Sequence, residues 1–412
     1  MLPEGLAVPS RRIFDRLRPG AATADGEAAP RRWAALYARL QDLYELPQDR
    51  QRAPAVEGLR GIAVALVFGV HYHALFSHYV QPSSLTFALS AIAWNIGHSG
   101  VDIFFALSGA LIYEVVLRRH TPYGQFLRRR AQRIYPAFLA VFAIYVALLF
   151  VDPGNHLPPG RIRGGLFLAA NALLIPGIVP IEPLISVAWS LSYEFAFYIL
   201  LPLLVYKLAF RQRSVRGRIA WMCVPALVLI TAALVHPMAH KRMLMFLAGM
   251  WAFEARNSAW FRTRLTRRGE LGVVLLFVLS FPAIVACSAT GGLPDIWSWS
   301  ALGVLFVTDF WVVLYVTGFE GWLKAVCSLA GLRWLGNISY SFYLLHGLTL
   351  KVLATALGIA LPSTPYGAIL FWTILPIGFA SAFVASTVLY ALVEKPLSLK
   401  RRSPAVVPGA VV

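Results

Sequence analysis

LRGIAVALVFGVHYHALF, from Leu59 to Phe76, is an apolar stretch of nearly membrane-spanning length that contains one arginine and two histidines. A helix needs about 20 mostly apolar residues to cross a bilayer. Ionisable side chains are costly in hydrocarbon, and they usually face the interior of a helix bundle or a wet cavity. We therefore expect this segment to be a membrane helix that carries polar groups for the inside of a bundle.

The composition extends this interpretation to the whole chain. Of its 412 residues, 58% are hydrophobic and only 14% are charged, which is too apolar for a soluble domain. The net charge of +18 lies in short basic clusters between apolar runs, so it indicates loops of a membrane protein and no nucleic-acid partner. The three cysteines are far apart and have no metal-binding spacing.

Apolar runs of spanning length predict an all-α polytopic membrane protein with about ten transmembrane helices. The candidate spans lie near 56–78, 96–117, 134–151, 187–209, 219–236, 243–255, 271–287, 297–318, 338–357 and 366–393. An additional stretch at 164–180 is shorter and is broken by proline.

The basic clusters predict the orientation of these spans. Arginine or lysine clusters follow the second, fourth, sixth and tenth spans, and all four fall on one side only if 164–180 does not cross. Because basic loops stay in the cytoplasm, both termini are expected there, with 164–180 as a re-entrant or outer segment. Arg161, Arg163, Lys241 and Arg242 are the exceptions on the outer side.

Three regions are expected along the chain. Residues 1–54 form a polar cytoplasmic extension, 55–397 the membrane domain, and 398–412 a basic cytoplasmic tail. Within the extension, apolar residues between Arg31 and Leu46 recur every three or four positions, which predicts an amphipathic helix. That helix lies either on the membrane surface or against the first loop.

Three ionisable residues on different spans are expected at a similar depth in the membrane. His71 lies eleven residues beyond Arg60, on the same helical face and about 16 Å further out. Asp102 near the outer end of the second span, and Glu194 in the outer half of the fourth, have comparable depth. A carboxylate beside a histidine can orient the imidazole as a general base, so these three are the candidate catalytic residues. The alternative is a His–Asp pair that only joins two helices.

Six segments, in order, resemble the motifs of the membrane acyltransferase type 3 family. They are EGLRGIAVALVFGVH, SGVDIFFALSGALI, RRAQRIYP, AWSLSYEFAFYILLP, LGNISYSFYLLH and VEKP, all within residues 55–397. Glu57 stands where the family commonly has aspartate, and the first 54 residues exceed its usual short lead. No hydrolase-like domain is expected after the tenth span.

The resemblance implies an enzyme of the bacterial inner membrane that moves an acyl group, commonly acetyl, from acyl-CoA to an extracytoplasmic hydroxyl. The acceptor would be a glycan, a lipid-linked sugar or another lipid. Acyl-CoA would be a donor substrate, with no permanently bound cofactor and no metal. His71 would deprotonate the acceptor directly or carry the acyl group itself.

The resemblance also assigns residues to the donor. Arg130 and Arg133 match the family's cytoplasmic Arg-x-x-Arg motif and would bind the phosphates of CoA, although they also fit a plain positive-inside loop. Arg60 would hold a phosphate or the pantetheine arm, or would pair with Glu57 or Glu394.

The CoA channel would have a further wall on the ninth span. Tyr343 and His346 align there on one helical face with Ser339, in the inner half of the span, and are candidate lining residues. A transporter or flippase for lipid or glycan is the competing function, because it too would bury charges in ten spans. The halves of the chain show no inverted repeat, which argues against it.

Overall fold

A computed structural model of the protein describes residues 28–45, 53–150, 157–235, 241–289, 295–360 and 367–399. Within these ranges nearly all residues are helical, and the β-type pairing consists of one isolated bridge between Pro176 and Val179. The chain divides into two units, Met1–Gln48 and Asp49–Val412. Most of the predicted basic tail lies outside the described residues.

The first unit contains helix α1, Ala28–Tyr44. Its side chains have unequal exposure: Trp33 is 71% exposed and Leu36 45%, whereas Tyr44 is buried. A helix therefore forms where the three- and four-residue spacing predicted one, and its position on the membrane surface stays a prediction.

The second unit is a bundle of fifteen helices within the described ranges. They are α2 Pro54–Phe76, α3 Leu85–Gly97, α4 Ser99–Arg118, α5 Tyr123–Leu148, α6 Arg161–Ala172, α7 Ala188–Lys207, α8 Val215–Val235, α9 Leu244–Asn257, α10 Ala259–Arg262, α11 Arg267–Ala289, α12 Asp295–Gly318, α13 Trp322–Cys327, α14 Ala330–Asn337, α15 Ser339–Ala360 and α16 Ala368–Leu389. A π-helical segment, Tyr390–Leu399, continues α16.

Eight helical stretches of the described chain are long and apolar enough to cross a membrane. They match eight of the ten predicted spans, and the other two, near 243–255 and 271–287, are the helices α9 and α11. With 14 residues, α9 is about 21 Å long and is almost entirely buried, so it is a short interior helix. The predicted all-α polytopic class is confirmed.

The proline-broken stretch at 164–180 contains a helix too short to span a bilayer. Helix α6 has 12 residues, which is about 18 Å of helix. It is followed by turns in which Leu174 and Gly177 have positive φ angles of 56° and 92°. The carbonyl of Gly177 accepts a hydrogen bond from the hydroxyl of Tyr193 on α7, which ties this segment to the bundle.

Helix α2 occupies the centre of the bundle and packs against α3, α4, α14 and α15. Its glycines allow this at the end that carries Arg60. A Cβ atom at Gly58 would collide with the carbonyl of Cys327, and one at Gly61 with the carbonyl of Leu332. The Glu-Gly-Leu-Arg-Gly motif therefore fixes the position of Arg60 by backbone contact with the short helices that precede α15.

Many side chains on the outside of the spans are apolar and highly exposed. Leu85, Ile359 and Ile369 are 75%, 85% and 84% exposed. Such surfaces are rare on soluble monomers and are what lipid-facing helices present. The polar and charged residues discussed below lie on the opposite, inward faces.

Candidate active site

A cavity lies among α2, α4, α5, α7 and α15. Its polar lining consists of Arg60, Ser108, Arg130, Arg133, Ser190, Glu194, Tyr198, Ser339, Tyr340 and Tyr343. Five of the eight predicted site residues therefore meet in one cavity. His71, Asp102 and His346 are outside its lining.

Arg133 is the cavity arginine that the protein itself neutralises. Its guanidinium forms an ion pair with Oε1 of Glu394, which is fully buried on the π-helical segment. The second carboxylate oxygen of Glu394 accepts hydrogen bonds from the hydroxyl of Ser341 at 2.5 Å and from its backbone amide at 3.2 Å. The ion pair joins α5 to the π-helical segment that continues α16, so it also connects two elements of the fold.

Arg60 forms no hydrogen bond or ion pair with any described residue. Both alternative partners expected from the sequence are engaged elsewhere: Glu57 pairs with Arg333 at 3.4 Å, and Glu394 pairs with Arg133. Arg60 shares the lining of the cavity with Glu194. Its five N–H donors are thus left for a bound molecule.

Arg130 is held by aromatic rings rather than by acceptors. Its guanidinium lies 5.4 Å from the ring centroid of Phe126 and 5.8 Å from that of Tyr198. Its buried Nε has no hydrogen-bond partner in the described part of the chain. Cation–π contacts of this kind use none of the N–H donors, so these stay available to an anion.

Glu194 is the carboxylate in the lining of the cavity. Oε1 accepts hydrogen bonds from the hydroxyl of Ser108 at 2.7 Å and from that of Tyr198. Oε2 has no partner among the described residues, so it can accept a hydrogen bond from a bound molecule. Glu194 thus lines the same cavity as the arginines. The sequence predicted a position at the depth of His71 instead.

Tyr343 closes one wall of the cavity. Its hydroxyl lies 2.7 Å from that of Ser190 and donates to the carbonyl of Val187 at 3.3 Å. Its ring centroid is 6.0 Å from that of His346, on the next turn of α15. Tyr343 therefore lines the cavity and lies next to His346, which does not.

His71 contacts His346 and not the predicted carboxylate. The ring centroids of His71 and His346 are 4.8 Å apart, with an angle of 71° between the planes. His73 turns away on another face of α2, where its Nδ1 lies 2.9 Å from the hydroxyl of Ser90. Sequence reasoning placed His346 in the inner half of its span, so it did not anticipate this pair.

The expected hydrogen bond between Asp102 and His71 does not form. Asp102 is fully buried and forms an ion pair with Arg242, which lies just before α9. The same guanidinium donates to the carbonyl of His98 at 3.2 Å. Because a cation is a stronger partner for a buried carboxylate than a neutral imidazole, Asp102 stabilises the junction between α4 and α9. The one signal for this in the sequence was Arg242 as a basic residue on the outer side.

Comparison with known proteins assigns the chain to a family. Residues 54–391 match the acyltransferase domain family. The chain belongs to the membrane acyltransferase type 3 family. It is accordingly an O-acyltransferase in a multi-pass membrane fold, which sets the transporter alternative aside. No solved structure matches the chain.

Three curated relatives show the range of the family. The chain is 28% identical to acyltransferase MdmB of Streptomyces mycarofaciens, over 87% of this chain and 95% of that protein. It is 30% identical to exopolysaccharide production protein ExoZ of Rhizobium meliloti, over 77% of this chain and 94% of that protein. It is 26% identical to peptidoglycan O-acetyltransferase OatA of Listeria monocytogenes, over 85% of this chain and 56% of that protein.

Proposed function

We propose that the protein transfers an acyl group, acetyl in the first instance, from cytoplasmic acyl-CoA to a hydroxyl of an extracytoplasmic glycan or lipid-linked acceptor. The observation that carries this proposal is the cavity in which Arg60 and Arg130 lack hydrogen-bond partners among the described residues. Half-buried cations without protein acceptors are costly unless an anion joins them. The phosphates of CoA are such anions, and the guanidinium fork suits them.

The basic residues around the cavity support a cytoplasmic donor. Arg128 and Arg129 are exposed on the first turns of α5, beside Arg130. Under the positive-inside rule this end of the bundle faces the cytoplasm, where acyl-CoA is made. The proposed location is therefore a bacterial inner membrane, with both termini on the cytoplasmic side.

Glu194 fits the less charged part of the donor. The pantetheine arm of CoA carries amide N–H groups, which require acceptors once they leave water. Oε2 of Glu194 supplies one, because its other oxygen already binds Ser108 and Tyr198. We therefore place Glu194 on the donor and not on the acceptor.

The proposed chemistry takes place at His71. One imidazole nitrogen removes the proton from the acceptor hydroxyl while the hydroxyl oxygen attacks the thioester carbon. The C–S bond breaks, an ester forms, and the imidazolium returns its proton to the departing thiolate, which leaves as CoA-SH. Direct transfer needs no intermediate on the protein, and we favour it over an acyl-histidine.

The names of the relatives favour a glycan acceptor. One acts on peptidoglycan and another takes part in exopolysaccharide production. We extend this to the present protein as a proposal about substrate class: a sugar hydroxyl on the outer side of the membrane. Mass spectrometry of surface glycans from a deletion strain would reveal the lost acyl mass.

The proposal is tested with membranes from a deletion strain that carries the wild-type or variant protein on a plasmid, supplied with radiolabelled acetyl-CoA. Label should enter the glycan or lipid fraction only when the protein is present. His71→Gln should lower incorporation per folded protein by ~10² or more, since glutamine cannot act as a base. His73→Gln is the matched control two residues away and should keep most activity. Incorporation without the protein, or a dead His73→Gln beside an active His71→Gln, would overturn the proposal.

A further inference from the structure

The buried imidazole of His346 has no role in the chemistry described so far. It lies on α15 with no exposed surface, outside the lining of the cavity, and its ring meets the ring of His71 on α2. The sequence suggested that it lines a CoA channel. Its absence from the lining of the cavity argues for a different task.

One nitrogen of His346 has a defined hydrogen-bond role. Nδ1 lies 3.0 Å from the backbone carbonyl of Phe342, one turn earlier on the same helix. A carbonyl oxygen can only accept, so Nδ1 carries the hydrogen. In a neutral imidazole the other nitrogen, Nε2, then holds a lone pair.

That lone pair is unused. Nε2 of His346 is buried and has no hydrogen-bond partner among the residues the structure describes. Buried polar atoms are nearly always satisfied, and the exceptions call for an explanation. The neighbouring polar group is the imidazole of His71, with ring centroids 4.8 Å apart. The rings meet edge to face, so a hydrogen bond between them requires the half-buried His71 ring to turn an N–H group toward this nitrogen.

We propose that His346 is the positioning residue of His71: its Nε2 accepts the N–H of His71 and so fixes which nitrogen of His71 is free to act as base. This inference rests on the proposed function. His346 would fill the place predicted for Asp102, whose carboxylate is committed to Arg242.

The proton balance of the step stays within His71. The free nitrogen of His71 takes the acceptor proton and later delivers it to the thiolate of CoA. The other nitrogen keeps its hydrogen throughout and donates it to His346. His346 therefore neither gains nor loses a proton, and it touches neither substrate.

Two amide variants separate this role from a structural one, because they imitate different nitrogens of histidine. The amide of asparagine reaches the position of Nδ1, so His346→Asn can keep the hydrogen bond to Phe342 but loses the acceptor for His71. The amide of glutamine reaches the position of Nε2, so His346→Gln can keep that acceptor. If His346 positions His71, the glutamine variant should have the higher turnover. If His346 is only structural, the asparagine variant should be at least as active as the glutamine variant.

The experiment measures kcat and KM for radiolabelled acetyl-CoA in membranes that hold the native acceptor, normalised to folded protein. We expect His346→Asn to lower kcat at least tenfold and His346→Gln to retain it within about fivefold, with KM unchanged in both because His346 lies outside the cavity. Equal losses in the two variants, whether of folded protein or of turnover, would contradict the proposal, as would a more active asparagine variant. Absence of incorporation in the wild type would instead refute the proposed function, so the two failures are distinguishable.

Discussion

Glu254 on α9 and two arginines of the cavity, Arg60 and Arg130, are charged groups held in the same bundle of helices, but of these three the protein supplies partners only to Glu254. That carboxylate accepts hydrogen bonds from Arg218 at 2.5 and 2.7 Å and from the hydroxyl of Tyr113 at 2.6 Å. Arg60 and Arg130 have no such partner in the described chain. The first cluster joins three helices, whereas the second leaves hydrogen-bond donors around an open space.

We propose that this difference separates the buried charges that maintain the fold from those that bind a ligand. A satisfied cluster has no capacity left to bind, and breaking it strands a charge in a low dielectric. An unsatisfied cluster contributes little to folding, and in our proposal it gains its partners from the substrate. The pair Asp102–Arg242 belongs with the first kind, although Asp102 Oδ1 and both oxygens of nearby Asp309 lack partners among the described residues.

The largest effect on stability is expected at Glu254. Glu254→Ala leaves Arg218, whose side chain is 14% exposed, without its carboxylate. Breaking one partner of a buried pair should lower the free energy of unfolding by about 3–5 kcal/mol. SDS titration of the purified protein in mixed micelles measures this change.

The matched control for this prediction is an exposed glutamate. Glu320 is 87% exposed, and its one partner in the described chain is Lys324, one turn away, so Glu320→Ala should cost less than about 1 kcal/mol. Similar losses in the two variants would show that the buried cluster does not hold the helices together.

A smaller effect is expected at Asp102, and it decides between catalysis and structure. Asp102→Asn removes the charge paired with Arg242 and should lower the free energy of unfolding by about 1.5–3 kcal/mol. Turnover per folded protein should fall by less than the ~10² expected for losing a general base. A folded Asp102→Asn protein without activity would restore Asp102 to the catalytic group.

The smallest effect is expected at the hydrogen bond between Tyr343 and Ser190. Tyr343→Phe and Ser190→Ala should each cost about 0.5–1.5 kcal/mol of unfolding free energy, because the bond is neutral. The double variant should cost less than the sum of the two, since both remove the same interaction. Strict additivity in SDS titration would mean that the two hydroxyls are not coupled.

Much of the fold follows from the sequence, because an apolar run of spanning length has few stable structures other than a membrane helix. The runs predicted the helices, the proline-broken stretch predicted a segment too short to cross, and the Arg-x-x-Arg pair predicted residues that do line a cavity. The run near 243–255 forms helix α9, but hydrophobicity alone did not predict that neighbouring helices bury it almost entirely.

The neighbours of each polar residue were harder to predict, because depth along a helix does not say which helix lies beside it. Asp102 was assigned to His71 on depth alone, yet Arg242 was close enough to pair with it. The contact between His346 and His71 was likewise not predicted, because depth along α15 does not say which side chain of α2 lies beside it.

The central claim is that the cavity binds acyl-CoA through arginines that the protein leaves unsatisfied. Acetyl-CoA binding to purified protein, measured by titration calorimetry, tests it with a matched pair of neighbouring residues. Arg130 lines the cavity, whereas Arg129 on the same helix is exposed and outside it. Arg130→Ala should weaken binding at least tenfold, as expected from losing a charge-assisted contact worth about 1.5–3 kcal/mol, while Arg129→Ala leaves the affinity nearly unchanged. Equal affinities in the two variants would contradict the account and return Arg130 to the role of an ordinary basic loop residue.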